Sequence, residues 1–299
     1  MEQLSFADRT VVVTGAGRGI GRAHALLLAS RGARVVVADL GARTDGSGID
    51  GDDPAGAVVD EIRAAGGTAE ASRADISTQE GAESVVARAV DAFGGLDAVI
   101  NNAGIVRTAP FDQVPPEEYQ RHLDVHYFGT LHLVRAAWPH LIASGTGRVL
   151  NTISAAMLGN PMMAHYGGSK GAVFGLTRNL ALEGIAHGIG VNALAPGAGT
   201  RMAEGSAESL SPELMEYMRT QLLPEHVAPV AAYLVHPSCE VTGEVFNAAG
   251  GAVNRMAVVN TTGFQDPGLT VETVAERFDE VMAITPAAVP QVVTVPQVP

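Results

Sequence analysis

The order of apolar runs along this chain predicts an α/β fold: a single doubly wound parallel sheet flanked by helices, with a C-terminal helical extension. Three observations carry the prediction. Short β-branched runs alternate with longer stretches of helical character. The first of these runs ends in a glycine-rich turn that opens a helix. Of the 299 residues, 46% are apolar and 17% charged, which is enough to bury a sizeable core.

The elements follow in order. Thr10-Val11-Val12-Val13 reads as a strand, because an unbroken β-branched run suits a strand covered on both faces. A helix is expected over 21–30 and a second strand over 34–38. A helix over 55–65 and a short strand over 68–74 come next, then a helix over 81–93 and the strand Ala98-Val99-Ile100. Long helices are expected over 116–144 and 166–187, with strands over 148–152 and 191–194, and a last strand over 245–248. One domain over 1–254 accounts for this order without a linker, followed by an extension over 255–299.

Two segments break the rhythm. Residues 41–56 form an unusually long strand-to-helix loop carrying Asp45, Asp50, Asp52 and Asp53. Their spacing fits no EF-hand, so a solvated loop without metal is expected. In the extension, Val271, Val274, Phe278, Val281 and Met282 fall at helical spacing and predict one helix with a docking face, used for core packing or a subunit contact. Residues 285–299 are expected to be extended or mobile, with prolines blocking regular pairing.

Composition excludes several functions. Nineteen basic against 32 acidic residues give a formal charge of −13, which disfavours nucleic acid and membrane surfaces as partners. The single cysteine, Cys239, permits no disulfide within the chain and no thiolate metal site, which points to a reducing compartment. No apolar run approaches the ~20 residues of a membrane span. Neither end carries a targeting signal, so a cytoplasmic location is expected.

The glycine-rich turn is the first sign of a function. Gly15, Gly17, Arg18, Gly19, Ile20 and Gly21 lie between the first strand and the first helix, where backbone N–H groups meet a pyrophosphate at the positive helix end. Asp39, followed by Leu40, stands 24 residues beyond Gly15 at the tip of the second strand. A carboxylate there accepts both adenosine ribose hydroxyls and repels a 2′-phosphate, favouring NAD over NADP. Arg18 and Arg43 leave some room for the phosphorylated cofactor.

The spacing Thr-Gly-x-x-x-Gly-x-Gly over 14–21 resembles that of the short-chain dehydrogenase/reductase family, a Rossmann-type fold. Four further motifs carry the resemblance across residues 6–252: Asp75-Ile76, Asn101-Asn102-Ala103-Gly104, Tyr166-Gly167-Gly168-Ser169-Lys170 and Pro196-Gly197 with Thr200. The resemblance implies an adenine contact at Asp75 and Ile76. It also implies that Asn102, Ala103 and Gly104 line the adenosine side, and that Pro196, Gly197 and Thr200 meet the nicotinamide end. A dimer or tetramer built on the two long helices is implied too.

In such an enzyme hydride moves to or from the nicotinamide while a proton moves on the substrate oxygen. Tyr166 is the expected acid/base. Lys170, one helical turn on, shares its face and would favour the phenolate, lowering its pKa. Ser154 is expected to orient the substrate oxygen. Its spacing to Tyr166 is twelve residues where the family has thirteen, and Thr152 offers a second hydroxyl nearby. His126 stands where many members place an asparagine that supports a proton-relay water. A relay role and a packing role both remain open for it.

Asp124-Val125-His126, Arg135-Ala136-Ala137-Trp138, Glu225-His226-Val227-Ala228-Pro229 and the long loop after Asp39 narrow the resemblance to the dehydrogenase domains of peroxisomal multifunctional enzymes of type 2. That subgroup implies oxidation of (3R)-3-hydroxyacyl-CoA with NAD, with 17β-hydroxysteroid oxidation as the alternative. A non-catalytic NAD-binding sensor is the alternative of another class, favoured only by the shortened Ser154–Tyr166 spacing. Met157, Leu158, Met162, Met163, Met202, Leu210, Leu214, Met215 and Met218 fall in segments expected to cover the substrate, or else to pack in the core. Arg107, Arg121 and Arg201 are scattered along the sequence and form no basic cluster that would mark a CoA site.

Overall fold

The structure is a computed structural model that describes residues 3–200, 211–286 and 290–296. Its first half alternates strand and helix: β1 (Thr10–Thr14), α1 (Gly19–Ser30), β2 (Arg34–Ala38), α2 (Pro54–Ala64), β3 (Thr68–Ser72), α3 (Gln79–Phe93) and β4 (Ala98–Asn101). Then come α4 (Pro116–Leu123), α5 (Gly129–Ser144), β5 (Arg148–Thr152), α6 (Ala164–Gly184) and β6 (Gly190–Gly197). The remainder is α7 (Pro212–Gln221), α8 (Ala228–Val235), β7 (Val241–Thr242), β8 (Val245–Ala249), β9 (Ala252–Met256), α9 (Val271–Glu276), α10 (Phe278–Met282) and β10 (Val293–Thr294).

The strands form an eight-stranded sheet in the order β3-β2-β1-β4-β5-β6-β8-β9, parallel except for β9. Alternation within each strand builds two cores. Val11, Val13, Val35 and Val37 face α1, α2 and α8 and pack with Leu28, Val58, Ile62 and Leu234. Val12 and Val36 face the other way, onto Val85 and Ala89 of α3 and Leu133 and Leu141 of α5. Side chains pointing to both faces of a covered sheet explain why the strands read as continuous apolar runs.

Caps set the helix starts. Asp53 accepts a hydrogen bond from Gly56 N, and Thr78 accepts one from Gly81 N, so α2 and α3 begin one or two residues before the expected positions. The expected helix over 116–144 contains a π-helical turn, Asp124–Phe128, between α4 and α5. That turn holds His126, buried at 1% exposure. Among the described residues no helix is long and apolar enough to cross a membrane.

The C-terminal part differs from expectation. The strand over 245–248 is not the last in the sheet: the pair Gly250-Gly251, both at positive φ, turns the chain into β9. The residue-254 boundary therefore falls inside a strand. The expected single tail helix is divided at Arg277 into α9 and α10. Its apolar face does not dock on the core of its own chain, since Val271, Phe278 and Met282 are 81%, 51% and 63% exposed. The prolines of the tail do not prevent pairing either, because β10 pairs antiparallel with β7 and Val295 is buried.

Candidate active site

The strand order reverses between β1 and β4, and a crevice opens beyond their carboxyl ends, where open α/β sheets bind ligands. Side chain and backbone lock this edge together. The Thr14 hydroxyl accepts hydrogen bonds from Asn102 N and Ala103 N, both at 3.0 Å, while the Asn102 carboxamide donates to the Thr14 and Gly15 carbonyls. Asn101 donates to Asn151, which donates to Thr177, extending the tie through β5 to α6. Glycine is required where the turn meets this edge. A Cβ at Gly15, whose φ is +61°, would lie 2.8 Å from Ala103 Cα, and one at Gly21 would lie 2.1 Å from the Gly15 carbonyl oxygen.

The resulting cleft has a volume of about 1250 Å³. Gly15, Arg18, Gly19, Ile20 and Gly21 line it together with Asp39, Leu40, Asp75, Ile76, Asn102, Ala103 and Gly104. Ser154, Tyr166, Lys170, His126, Pro196 and Thr200 line the same cleft, with Thr200 beside Gly19 and His126 beside Gly104. Gly17 and Gly197 do not face the cleft. Gly17 N instead donates to Asp39 Oδ2 at 2.8 Å, and Gly197 packs against Ala249. Gly41 N holds the other oxygen of Asp39, also at 2.8 Å. A carboxylate has about four acceptor positions, so two remain for ribose hydroxyls. The open helix end, the glycine cradle and the fixed carboxylate fit a dinucleotide.

The loop over 41–56 forms a wall of this cleft instead of standing free in solvent. Thr44 O accepts from Val106 N, and Leu40, Ala42, Arg43, Thr44 and Ile49 face the cleft. Its aspartates engage the neighbouring cations: Arg18 pairs with Asp52 and Asp50, and Arg43 Nε lies 3.5 Å from Asp50. Among the described residues no acidic, histidine and cysteine cluster suits a metal ion.

At the reacting end Ser154 stands near enough to the Tyr166 phenol to favour its ionised form, so the shorter spacing does not separate them. Ser154 also caps the turn Ala155–Leu158 by accepting from Ala156 N. Lys170 Nζ donates to the Thr152 carbonyl at 2.9 Å and stands 5.9 Å from the centre of the Tyr166 ring. Burial pushes the Lys170 ammonium down to about 7. Burial also raises the Tyr166 phenol above its ordinary value, opposed by the neighbouring Ser154 hydroxyl. The expected lowering of Tyr166 by Lys170 is therefore not what dominates here, because desolvation disfavours both ions.

His126 reaches the site with both ring nitrogens committed. Ile105 N donates to Nε2 at 3.0 Å, which leaves the proton on Nδ1, 2.7 Å from Ser169 Oγ. Ser169 in turn donates to the Tyr166 carbonyl. Desolvation, then the Lys170 charge, holds the His126 imidazole well below its ordinary value. Neither ring nitrogen is left to hold a relay water.

Ile105, Ser169 and the Thr14 hydroxyl are the contributors that motif reading passes over. Ser169, between Tyr166 and Lys170, and Thr14, which opens the glycine motif, stood within recognisable patterns, whereas Ile105 did not. Of the apolar residues expected over the substrate, Met162, Met163 and Met218 line the cleft. Met157 packs with Ile153 and Val173, and Leu158 is 69% exposed. Arg201, Met202, Leu210 and the Leu214 side chain lie outside the described residues.

Residues 9–210 match the short chain dehydrogenase family. The chain is a short-chain dehydrogenase/reductase. It is thus an oxidoreductase built for a nicotinamide cofactor, and the sensor alternative falls. A Mycobacterium tuberculosis protein whose name gives this family and no substrate is 42% identical over 94% of this chain and 96% of its own length. Mouse peroxisomal multifunctional enzyme type 2 is 38% identical over 97% of this chain, which spans 39% of that relative's length. A Mycobacterium avium short chain dehydrogenase superposes with a TM-score of 0.77 at 34% identity, covering 97% of this chain and 98% of its own. A 7α-hydroxysteroid dehydrogenase bound to NADH and 7-oxo glycochenodeoxycholic acid gives 0.73 at 31% identity, covering 84% and 98%.

Proposed function

We propose that this enzyme oxidises a (3R)-3-hydroxyacyl-CoA to the 3-oxoacyl-CoA with NAD, in fatty-acid or sterol side-chain breakdown. The observation that carries the reading is the Ser154–Tyr166–Lys170 constellation in a cleft that also presents Asp39. NAD is favoured twice over. Asp39 is held for ribose hydroxyls, and the two arginines that would receive a 2′-phosphate are already paired with Asp50 and Asp52.

A nicotinamide held beside Tyr166 and Lys170 would supply the acceptor for the hydride leaving the carbinol carbon. Ser154 orients the substrate hydroxyl, and Tyr166 takes its proton. A phenol raised by burial is a poor base, so Tyr166 depends on positive charge beside it, from the Lys170 ammonium and the oxidised ring. His126 positions the machinery by joining Ile105 to Ser169 on the Tyr166 helix. Likeness to the multifunctional enzymes, which runs along almost the whole of this chain, supports the acyl-CoA substrate. The hydroxysteroid dehydrogenase neighbour supports the second reading, a hydroxysteroid. A homodimer or homotetramer in the cytoplasm completes the proposal.

The test is NADH formation from matched (3R)- and (3S)-3-hydroxyacyl-CoA, with Tyr166→Phe as the blank. Turnover of the R isomer alone, lost in the variant, supports the reading. Turnover of neither isomer, with turnover of a 17β-hydroxysteroid, replaces it with the second.

A further inference from the structure

Two arginines meet on one buried carboxylate beside the cleft: Arg121 lines it, and Arg107 stands between the lining residues Val106 and Thr108. Arg107 Nη1 lies 3.3 Å from Glu118 Oε1, and Arg121 Nη1 lies 3.2 Å from the same oxygen. Glu118 is 5% exposed, whereas the two guanidinium side chains are 50% and 41% exposed. One arginine suffices to balance one buried carboxylate, so the trio carries a surplus positive charge directed to solvent. Both cations are anchored. The Arg107 carbonyl is bonded by His165, the neighbour of Tyr166, and Arg121 stands on α4 in the cleft wall against Gly46 of the long loop. The whole chain carries −13, and on that acidic surface the two guanidinium groups offer a polyanionic substrate a point of attraction.

We infer that Arg107 and Arg121, braced by Glu118, bind a phosphate group of the CoA moiety of the substrate. The inference rests on the acyl-CoA reading and deepens it. Guanidinium forks suit phosphate oxygens, and a shared carboxylate holds the two donors at one spot before the ligand arrives. The site stands apart from the pyrophosphate cradle at α1. Arg18 and Arg43, by contrast, are committed to the loop aspartates.

The experiment compares a (3R)-3-hydroxyacyl-CoA with the same acyl group on N-acetylcysteamine, which lacks every phosphate, at saturating NAD. Arg107→Ala and Arg121→Ala are made singly, so that Glu118 keeps one partner. Each variant is expected to raise KM for the CoA ester about tenfold with kcat unchanged, from one lost charge-assisted contact. KM for the truncated ester and for NAD should not move. Adenosine 3′,5′-bisphosphate should compete with the CoA ester on the wild-type enzyme, a readout that survives if a variant fails to fold. Equal effects on the two esters, unchanged KM for the CoA ester, or no competition by the bisphosphate would overturn the site. A wild type that turns over neither ester overturns the acyl-thioester reading itself, whereas one that uses both with equal KM overturns only the phosphate site.

Discussion

Lys170 supplies a prediction that can be worked through from its burial alone. Its ammonium is brought from 10.5 to about 7 by desolvation in the folded protein. The folded value lies below the unfolded one, so between these two pH values the unfolded chain holds an extra proton. Stability therefore rises with pH across that window, and the cost of keeping a charged ammonium buried is greatest below pH 7. With these two values the contribution of Lys170 changes by about 2 kcal/mol between pH 7 and pH 9. Lys170→Met removes the titrating group while filling the space. Urea denaturation of cofactor-free wild type and variant at both pH values gives a double difference in which other titrations cancel. Relative to the variant, wild type should gain about 2 kcal/mol on going from pH 7 to pH 9. A double difference within about 0.5 kcal/mol of zero would place the lysine near its ordinary value and refute the desolvation argument.

Other perturbations probe the rest of the cleft. Asp39→Ala should weaken NAD about tenfold by removing the ribose acceptor. Adding Asp50→Asn and Asp52→Asn should then raise kcat/KM for NADP by freeing Arg18 and Arg43, and an unchanged cofactor ratio would show that the pairing has no part in selection. His126→Ala strands the Ile105 N–H and opens a cavity, a loss of about 3 kcal/mol in chemical denaturation, with kcat falling and KM for NAD unmoved. Thr14→Val deprives two backbone N–H groups of their acceptor. It should cost about 2 kcal/mol and raise the Kd for NAD measured by calorimetry.

Much of the fold was legible because its signals are local. A β-branched run buried on both faces, a glycine turn and a cap residue each act within a few residues, and the parallel strands follow from them. Tyr166 and Lys170 were legible for the same reason, since one helical turn joins them. What escaped depends on distant partners. Nothing near His126 announces Ile105 or Ser169, and nothing near Arg107 announces Glu118. The tail misled differently. Its helical spacing was real, but Arg277 interrupts the helix at φ −107° and ψ 17°, leaving two short pieces whose apolar side chains face outward. The pairing of β10 was missed because prolines on either side argue against a strand, yet a two-residue strand fits between them.

That small strand covers an edge. Without β10, one edge of β7 and the Glu240 carbonyl would lose their partners, a template on which a foreign strand can add. Val295, now 3% exposed, seals the seam. Proteolytic trimming ahead of Val293 would spare the cleft, so its first symptom would be turbidity in a concentrated sample while turnover per soluble molecule stayed the same.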